Sequence, residues 1–137
     1  MPTEENQPPV QEADTLPARI LLVEDNVEVR QICRHVLVER GFLVNAVADG
    51  ESGWAALQAN KYDLLITDNN LPGLSGIDLV TNIREANICL LIILSAATIP
   101  QNSDRFGFAA ILVKPYTVED LERKVKEVLS HTSPQCN

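Results

Sequence analysis

Five short apolar runs, each followed by a stretch of helical or turn character, constrain this chain more than any other feature. They are Arg19 to Val23, Phe42 to Val47, Asp63 to Thr67, Ile88 to Leu94 and Ala109 to Val113, and their length and composition predict strands. The first helix between them carries apolar Val29, Ile32, Cys33, Val36 and Leu37 at the i, i+3, i+4, i+7, i+8 spacing of one face, and Gly41 follows as a stop. The last helix repeats the stripe with Val118, Leu121, Val125, Val128 and Leu129, and Thr117 followed by Asp120 has the spacing of a capping box. Strands that are apolar almost throughout and separated by helices need cover on both faces. A doubly wound α/β domain with a five-stranded parallel sheet in the order 2-1-3-4-5 is therefore expected.

At 137 residues the chain is long enough for one hydrophobic core and too short for two domains and a linker. Residues 1–18 open with four prolines and several acidic side chains and read as a disordered leader; residues 19–130 form the domain; residues 131–137 read as a polar tail, too short for an output domain. The formal charge of -8 argues against direct nucleic-acid binding and against anionic membranes, and the longest apolar run is far too short to span a bilayer. Cys33, Cys89 and Cys136 form no CxxC pair and leave one over from any disulfide, so a reducing cytoplasm is the simplest setting, with Cys33 and Cys89 expected as small buried hydrophobes.

Ligands of open α/β sheets bind at the carboxyl ends of the strands, and there the sequence becomes specific. Glu24 and Asp25 follow the first strand, Asp68 the third, Ser95 the fourth, and Lys114 with Pro115 the fifth. Three carboxylates brought together stay ionised only beside a cation, and an all-oxygen set without His or Cys points to Mg²⁺, with Mn²⁺ as a possible substitute. Lys114 and Ser95 are then available to an anion beside the metal, which makes a phosphoryl site. An aspartate can attack phosphorus and become an acyl phosphate, and the turn-rich Asn69 to Gly76 segment exposes the strand end at Asp68.

The segments LLVEDN at 21–26, ITDNNLPGLSG at 66–76, LSAA at 94–97 and LVKPY at 112–116 resemble the receiver domain of response regulators, over residues 19 to 130. The resemblance implies the flavodoxin-like receiver fold and a phosphorylation-dependent switch of a two-component system or phosphorelay, not a classical enzyme. By it Asp68 is the phosphoacceptor, Asp25 a direct metal ligand, Glu24 a ligand acting largely through water, and the Asn70 backbone carbonyl a further ligand. Ser95 is the switch hydroxyl and Lys114 the phosphoryl partner, joined by a cis bond to Pro115. The implied partners are a histidine kinase or histidine phosphotransfer protein and a downstream protein target.

Two departures stand out. Ile111 occupies the position three before the lysine where many receivers place an aromatic residue, and it cannot make that ring's rotation. The stretch from Ser95 to Lys114 is a few residues short, and Pro100, Asn102, Ser103 and Gly107 predict a short or irregular fourth helix. Two other functions compete. A phosphate-independent pseudo-receiver would ordinarily have lost the acidic site, which is intact here. A haloacid-dehalogenase-like phosphohydrolase wants a second Asp two positions after the nucleophile, where this chain has Asn70, and an acidic pair after its lysine.

Overall fold

A computed structural model describes residues 16–131, so most of the expected leader and nearly all of the tail lie outside the described residues. The strands are β1 (Arg19–Val23), β2 (Leu43–Val47), β3 (Leu64–Asp68), β4 (Leu91–Ala96) and β5 (Ala110–Val113). The α-helices are α1 (Val27–Glu39), α2 (Gly50–Ala59), α3 (Gly76–Glu85) and α4 (Val118–His131). All neighbouring strands run parallel, in the order β2-β1-β3-β4-β5. This is the doubly wound arrangement in the order 2-1-3-4-5 expected from the sequence.

Side chains alternate across a strand, so each apolar run feeds two cores. Ile20, Leu22, Leu64, Ile66, Leu91, Ile93 and Leu112 face α1 and α4, meeting Cys33, Leu37, Leu121, Val125 and Val128. Leu21, Val23, Leu65 and Ile92 face the other way, onto Leu57 of α2 and Leu79, Val80 and Ile83 of α3. β3 is buried along its whole length, as a central strand must be.

The edges of these elements have local causes. Thr117 and Asp120 form the capping box, with Thr117 N–H donating to Asp120 Oδ2 at 3.0 Å and Asp120 N–H to Thr117 Oγ1 at 3.0 Å. Replacing an oxygen cap by alanine leaves an end donor without its partner. Thr117→Ala should therefore lower the free energy of unfolding by about 1 kcal/mol, read as an earlier urea midpoint with an unchanged slope.

β4 begins three residues later than its apolar run. Asn87 adopts a left-handed conformation (φ 57) and Ile88 N–H donates to Ile83 O at 3.1 Å, so the chain is still closing α3 where the run begins. Cys89 falls in this connection. It is exposed and disulfide-bonded, which corrects the expectation of a small buried thiol; Cys33 is free and buried, as expected.

Between β4 and β5 the expected irregular fourth helix is a single 3₁₀ turn, Ser103–Phe106, flanked by Asn102 (φ 59) and Gly107 (φ 67), both left-handed. Phe106 and Phe108 pack onto the α2/α3 core from this turn. Arg84 of α3 ties it down, its Nε and Nη2 each donating at 2.9 Å, to the carbonyls of Phe106 and Gly107. Its Nη1 is buried without a hydrogen-bond partner, and burial lowers the guanidinium pKa from its ordinary value. One donor of the fork is thus left unsatisfied where the other two hold the turn.

Candidate functional site

The rows that face α1 and α4 end in polar residues. Ile20 and Leu22 continue to Glu24, Leu64 and Ile66 to Asp68, Leu91 and Ile93 to Ser95, and Leu112 to Lys114, all at i+2 spacing. One sheet face therefore delivers two carboxylates, a hydroxyl and an ammonium to the same edge. Glu24 and Asp68 are each 4 % exposed and Ser95 is 2 % exposed. Asp25, on the turn past β1, is exposed.

Asp68 is held from both sides. Lys114 Nζ donates to its Oδ2 at 2.8 Å, and the Asn70 N–H to its Oδ1 at 3.2 Å. Ser95 is its ladder neighbour on β4, and the Asn69 N–H donates to the Ser95 carbonyl at 2.9 Å. The Lys114–Pro115 peptide is cis. One carboxylate oxygen from each of Glu24, Asp25 and Asp68 lies within 4.8 Å of the others.

Such a cluster carries an electrostatic cost. Burial raises the Glu24 pKa, the Asn26 N–H donating to Glu24 Oε2 at 3.1 Å opposes the rise, and the charge of Asp68 adds to it. For Lys114 burial acts downward, but its hydrogen bond to Asp68 and the charges of Asp68, Glu24 and Asp25 outweigh it and raise the pKa. The ammonium stays charged. A hard divalent cation fits the remaining need, because all three side chains of the cluster offer carboxylate oxygens.

The carboxylates open into a cavity of about 810 Å³. Asn70, Lys114 and Pro115 line it beside them, and Val29, Ile32, Cys33, Tyr116 and Val118 form an apolar flank. Ser95 and Ile111 are not part of its wall. Ile111 sits half-buried on β5 opposite Leu94, in the strand row that faces away from α1 and α4. The geometry thus gathers Glu24, Asp25, Asp68, Asn70 and Lys114 in one cavity, sets Ser95 behind Asp68 on the ladder, and leaves Ile111 outside.

The sequence reading missed Tyr116 and Arg30. Tyr116 packs against the α1/α4 core with its hydroxyl 3.9 Å from Cys33 Sγ, and burial holds its phenol protonated far above the ordinary range. The Arg30 guanidinium donates to the Glu24 carbonyl at 2.8 Å. Its position four residues after Asn26, the residue that caps α1, was the available signal.

The family signature described as the response regulator receiver domain matches residues 20–126. The chemotaxis protein CheY of Pseudomonas aeruginosa is 30 % identical over 122 residues, covering 84 % of this chain and 98 % of that protein. The transcriptional regulatory protein RprY of Bacteroides fragilis is 31 % identical over 123 residues, covering 87 % of this chain and 52 % of that protein. The chain thus spans about half the length of the transcriptional regulators it matches. Among solved structures, the chemotaxis response regulator CheY4 of Vibrio cholerae superposes with a TM-score of 0.77 at 28 % identity, over 82 % of this chain and 99 % of that one. The response regulator TrrA of Thermotoga maritima, solved in complex with Mg²⁺ and BeF, gives 0.73 at 28 % identity, over 81 % and 98 %.

Proposed function

Because this chain belongs to the response regulator receiver family, whose members are signalling proteins of two-component systems that bind Mg²⁺ at an acidic cluster, we propose that it is a phospho-switch charged on Asp68. The donor is the phosphohistidine of a histidine kinase or phosphotransfer protein. An Asp68 carboxylate oxygen forms the new O–P bond as the P–N bond breaks and the imidazole nitrogen leaves with the electron pair. Glu24, Asp25, Asp68 and the Asn70 carbonyl would hold Mg²⁺, which supplies positive charge to the phosphoryl oxygens.

The observation that carries this reading is the Lys114 Nζ at 2.8 Å from Asp68 Oδ2 beside the carboxylates of Glu24 and Asp25. Lys114 orients the nucleophile before transfer. Afterwards it partners a phosphoryl oxygen, and Ser95, one strand away, supplies a hydroxyl to another. The intact acidic set favours this over phosphate-independent binding, and Asn70 in place of a second Asp disfavours phosphohydrolase chemistry.

No helix among the described residues is long and apolar enough to cross a membrane. The proposed cytoplasmic setting follows from the donor class and not from the cysteines, since Cys89 is not a free thiol. The charged state acts through protein contacts. With Ile111 unable to swing as a ring does, the Ala97 to Gly107 segment is the element that moves, against the hold of Arg84 on its far end.

The test uses Mg²⁺ and acetyl phosphate, or a phosphorylated kinase, followed by intact-mass spectrometry. One phosphoryl group, labile in base, is expected. No uptake from either donor would favour the pseudo-receiver.

A further inference from the structure

We propose that Arg30 is a positioning residue for the acidic site, fixing the turn that carries Glu24 and Asp25 so that both carboxylates face Asp68. The proposal rests on the reading of this cavity as a metal and phosphoryl site.

The turn between β1 and α1 has to change direction within Glu24, Asp25 and Asn26. Half of its six backbone donors and acceptors are tied by neighbours. The Glu24 N–H donates to the Val47 carbonyl at 3.0 Å, the Asn26 N–H goes to the Glu24 carboxylate, and the Asn26 carbonyl accepts the first helical bond, from the Arg30 N–H at 2.9 Å. The Asn26 side chain caps α1 by accepting from the N–H groups of Glu28 and Val29 at 3.0 Å each. The carbonyls of Glu24 and Asp25 precede the helix, and no backbone amide outside the regular elements donates to them. Arg30 does, with Nη1 donating to Glu24 O at 2.8 Å and, more weakly, to Asp25 O at 3.4 Å. Its place in the first turns of α1 brings the side chain back over the turn, as the tilt of helical side chains toward the N-terminus requires.

Two physical effects of this guanidinium have opposite signs. As a fixed cation close to the acidic cluster it repels a second cation, so if charge were its whole role its removal would tighten Mg²⁺ binding. As a clamp on the carbonyls behind two ligands it preorganises them, and its removal would weaken binding. Outer groups that orient metal ligands are commonly worth about 10–100-fold in affinity. A screened charge at a half-exposed position is worth much less, so the positioning effect should win.

Calorimetric titration of Mg²⁺ into the wild-type chain, Arg30→Met, Arg30→Lys and Asp25→Ala decides the matter. Arg30→Met is expected to bind about 10-fold more weakly or worse. Arg30→Lys keeps the charge and one donor and should recover part of the loss. In the metal-free proteins, the backbone N–H of Asn26 should exchange faster in Arg30→Met, with the melting midpoint little changed. Unchanged or tighter Mg²⁺ binding in Arg30→Met, with Asp25→Ala weakened, would overturn the positioning role alone. Unchanged binding in Asp25→Ala would instead remove the metal site itself. If Arg30→Met does not fold, Arg30→Lys carries the test, and wild-type affinity together with wild-type exchange at Asn26 in that variant overturns the proposal.

Discussion

Asp68→Asn should fold while taking up no phosphoryl group from acetyl phosphate. The amide has the size of the carboxylate, and its one oxygen can accept from the Asn70 N–H or from the Lys114 ammonium but not from both as the carboxylate does, so the volume at a position only 4 % exposed is kept. What is lost is the anionic oxygen that Lys114 positions to attack phosphorus, and neither Glu24 nor Asp25 makes that ion pair. Glu24 is buried with its pKa raised, and the Ser95 hydroxyl has no basic side chain bonded to it among the described residues. The substitution also removes one of the charges that raise the Glu24 pKa, so it relieves repulsion while it breaks the ion pair with Lys114. These two effects oppose each other, and the net change in stability should be small beside the complete loss of the adduct. Mass spectra of both proteins under the same donor concentration are the measurement. A variant that still gains one phosphoryl group at the wild-type rate would show that Asp68 is not the acceptor.

The site was readable from the sequence because the property that builds the sheet also builds the site. An i, i+2 row of apolar residues fixes which face the next residue of the row meets, so Leu22, Ile66, Ile93 and Leu112 already direct Glu24, Asp68, Ser95 and Lys114 to the α1/α4 side. Strand order adds the proximity, since β1, β3, β4 and β5 are consecutive neighbours. Other features left no such trace. Ile88 and Cys89 continue the apolar pattern of β4, yet the left-handed Asn87 and the bond from Ile88 N–H to Ile83 O assign them to the end of α3. Asparagine is permitted that conformation but not committed to it. Arg30 and Arg84 act through long flexible side chains on backbone carbonyls, a contact that depends on where the chain returns and not on any periodicity. The weak fourth helix was visible in Pro100, Asn102 and Gly107, whereas the guanidinium that holds its replacement was not.

Gly76→Ala sets two rules against each other, and their magnitudes decide the outcome. Gly76 is the first residue of α3, behind the Ser75 cap whose Oγ accepts the Asp78 N–H at 3.1 Å, and helix propensity alone would have alanine stabilise that position by about 1 kcal/mol or less. Space forbids it. A Cβ there would lie 2.5 Å from the Asp68 carbonyl oxygen and 2.7 Å from the Asn69 Cα. Both are backbone atoms. The first belongs to β3, and the second to the segment whose carbonyl accepts the Gly76 N–H at 3.0 Å, so neither can rotate away as a side-chain tip would. Forced overpacking of this kind costs about 1–3 kcal/mol, more than the propensity gain, and the domain should unfold at a lower urea concentration. The strain falls on the Asp68 and Asn69 backbone. The Asn70 N–H, 3.2 Å from Asp68 Oδ1, should move with it, and phosphoryl uptake should slow even in the folded fraction. Gly41→Ala is the matching control: a Cβ there would meet nothing within 4 Å, and only the φ of +95 resists the change, so it should cost stability without altering uptake. Equal urea midpoints for Gly76→Ala and the wild type would mean that α3 can retreat from β3 freely. Slowed uptake in Gly41→Ala as well would mean that the rate follows global stability and not the fit of α3 against the phosphoacceptor strand.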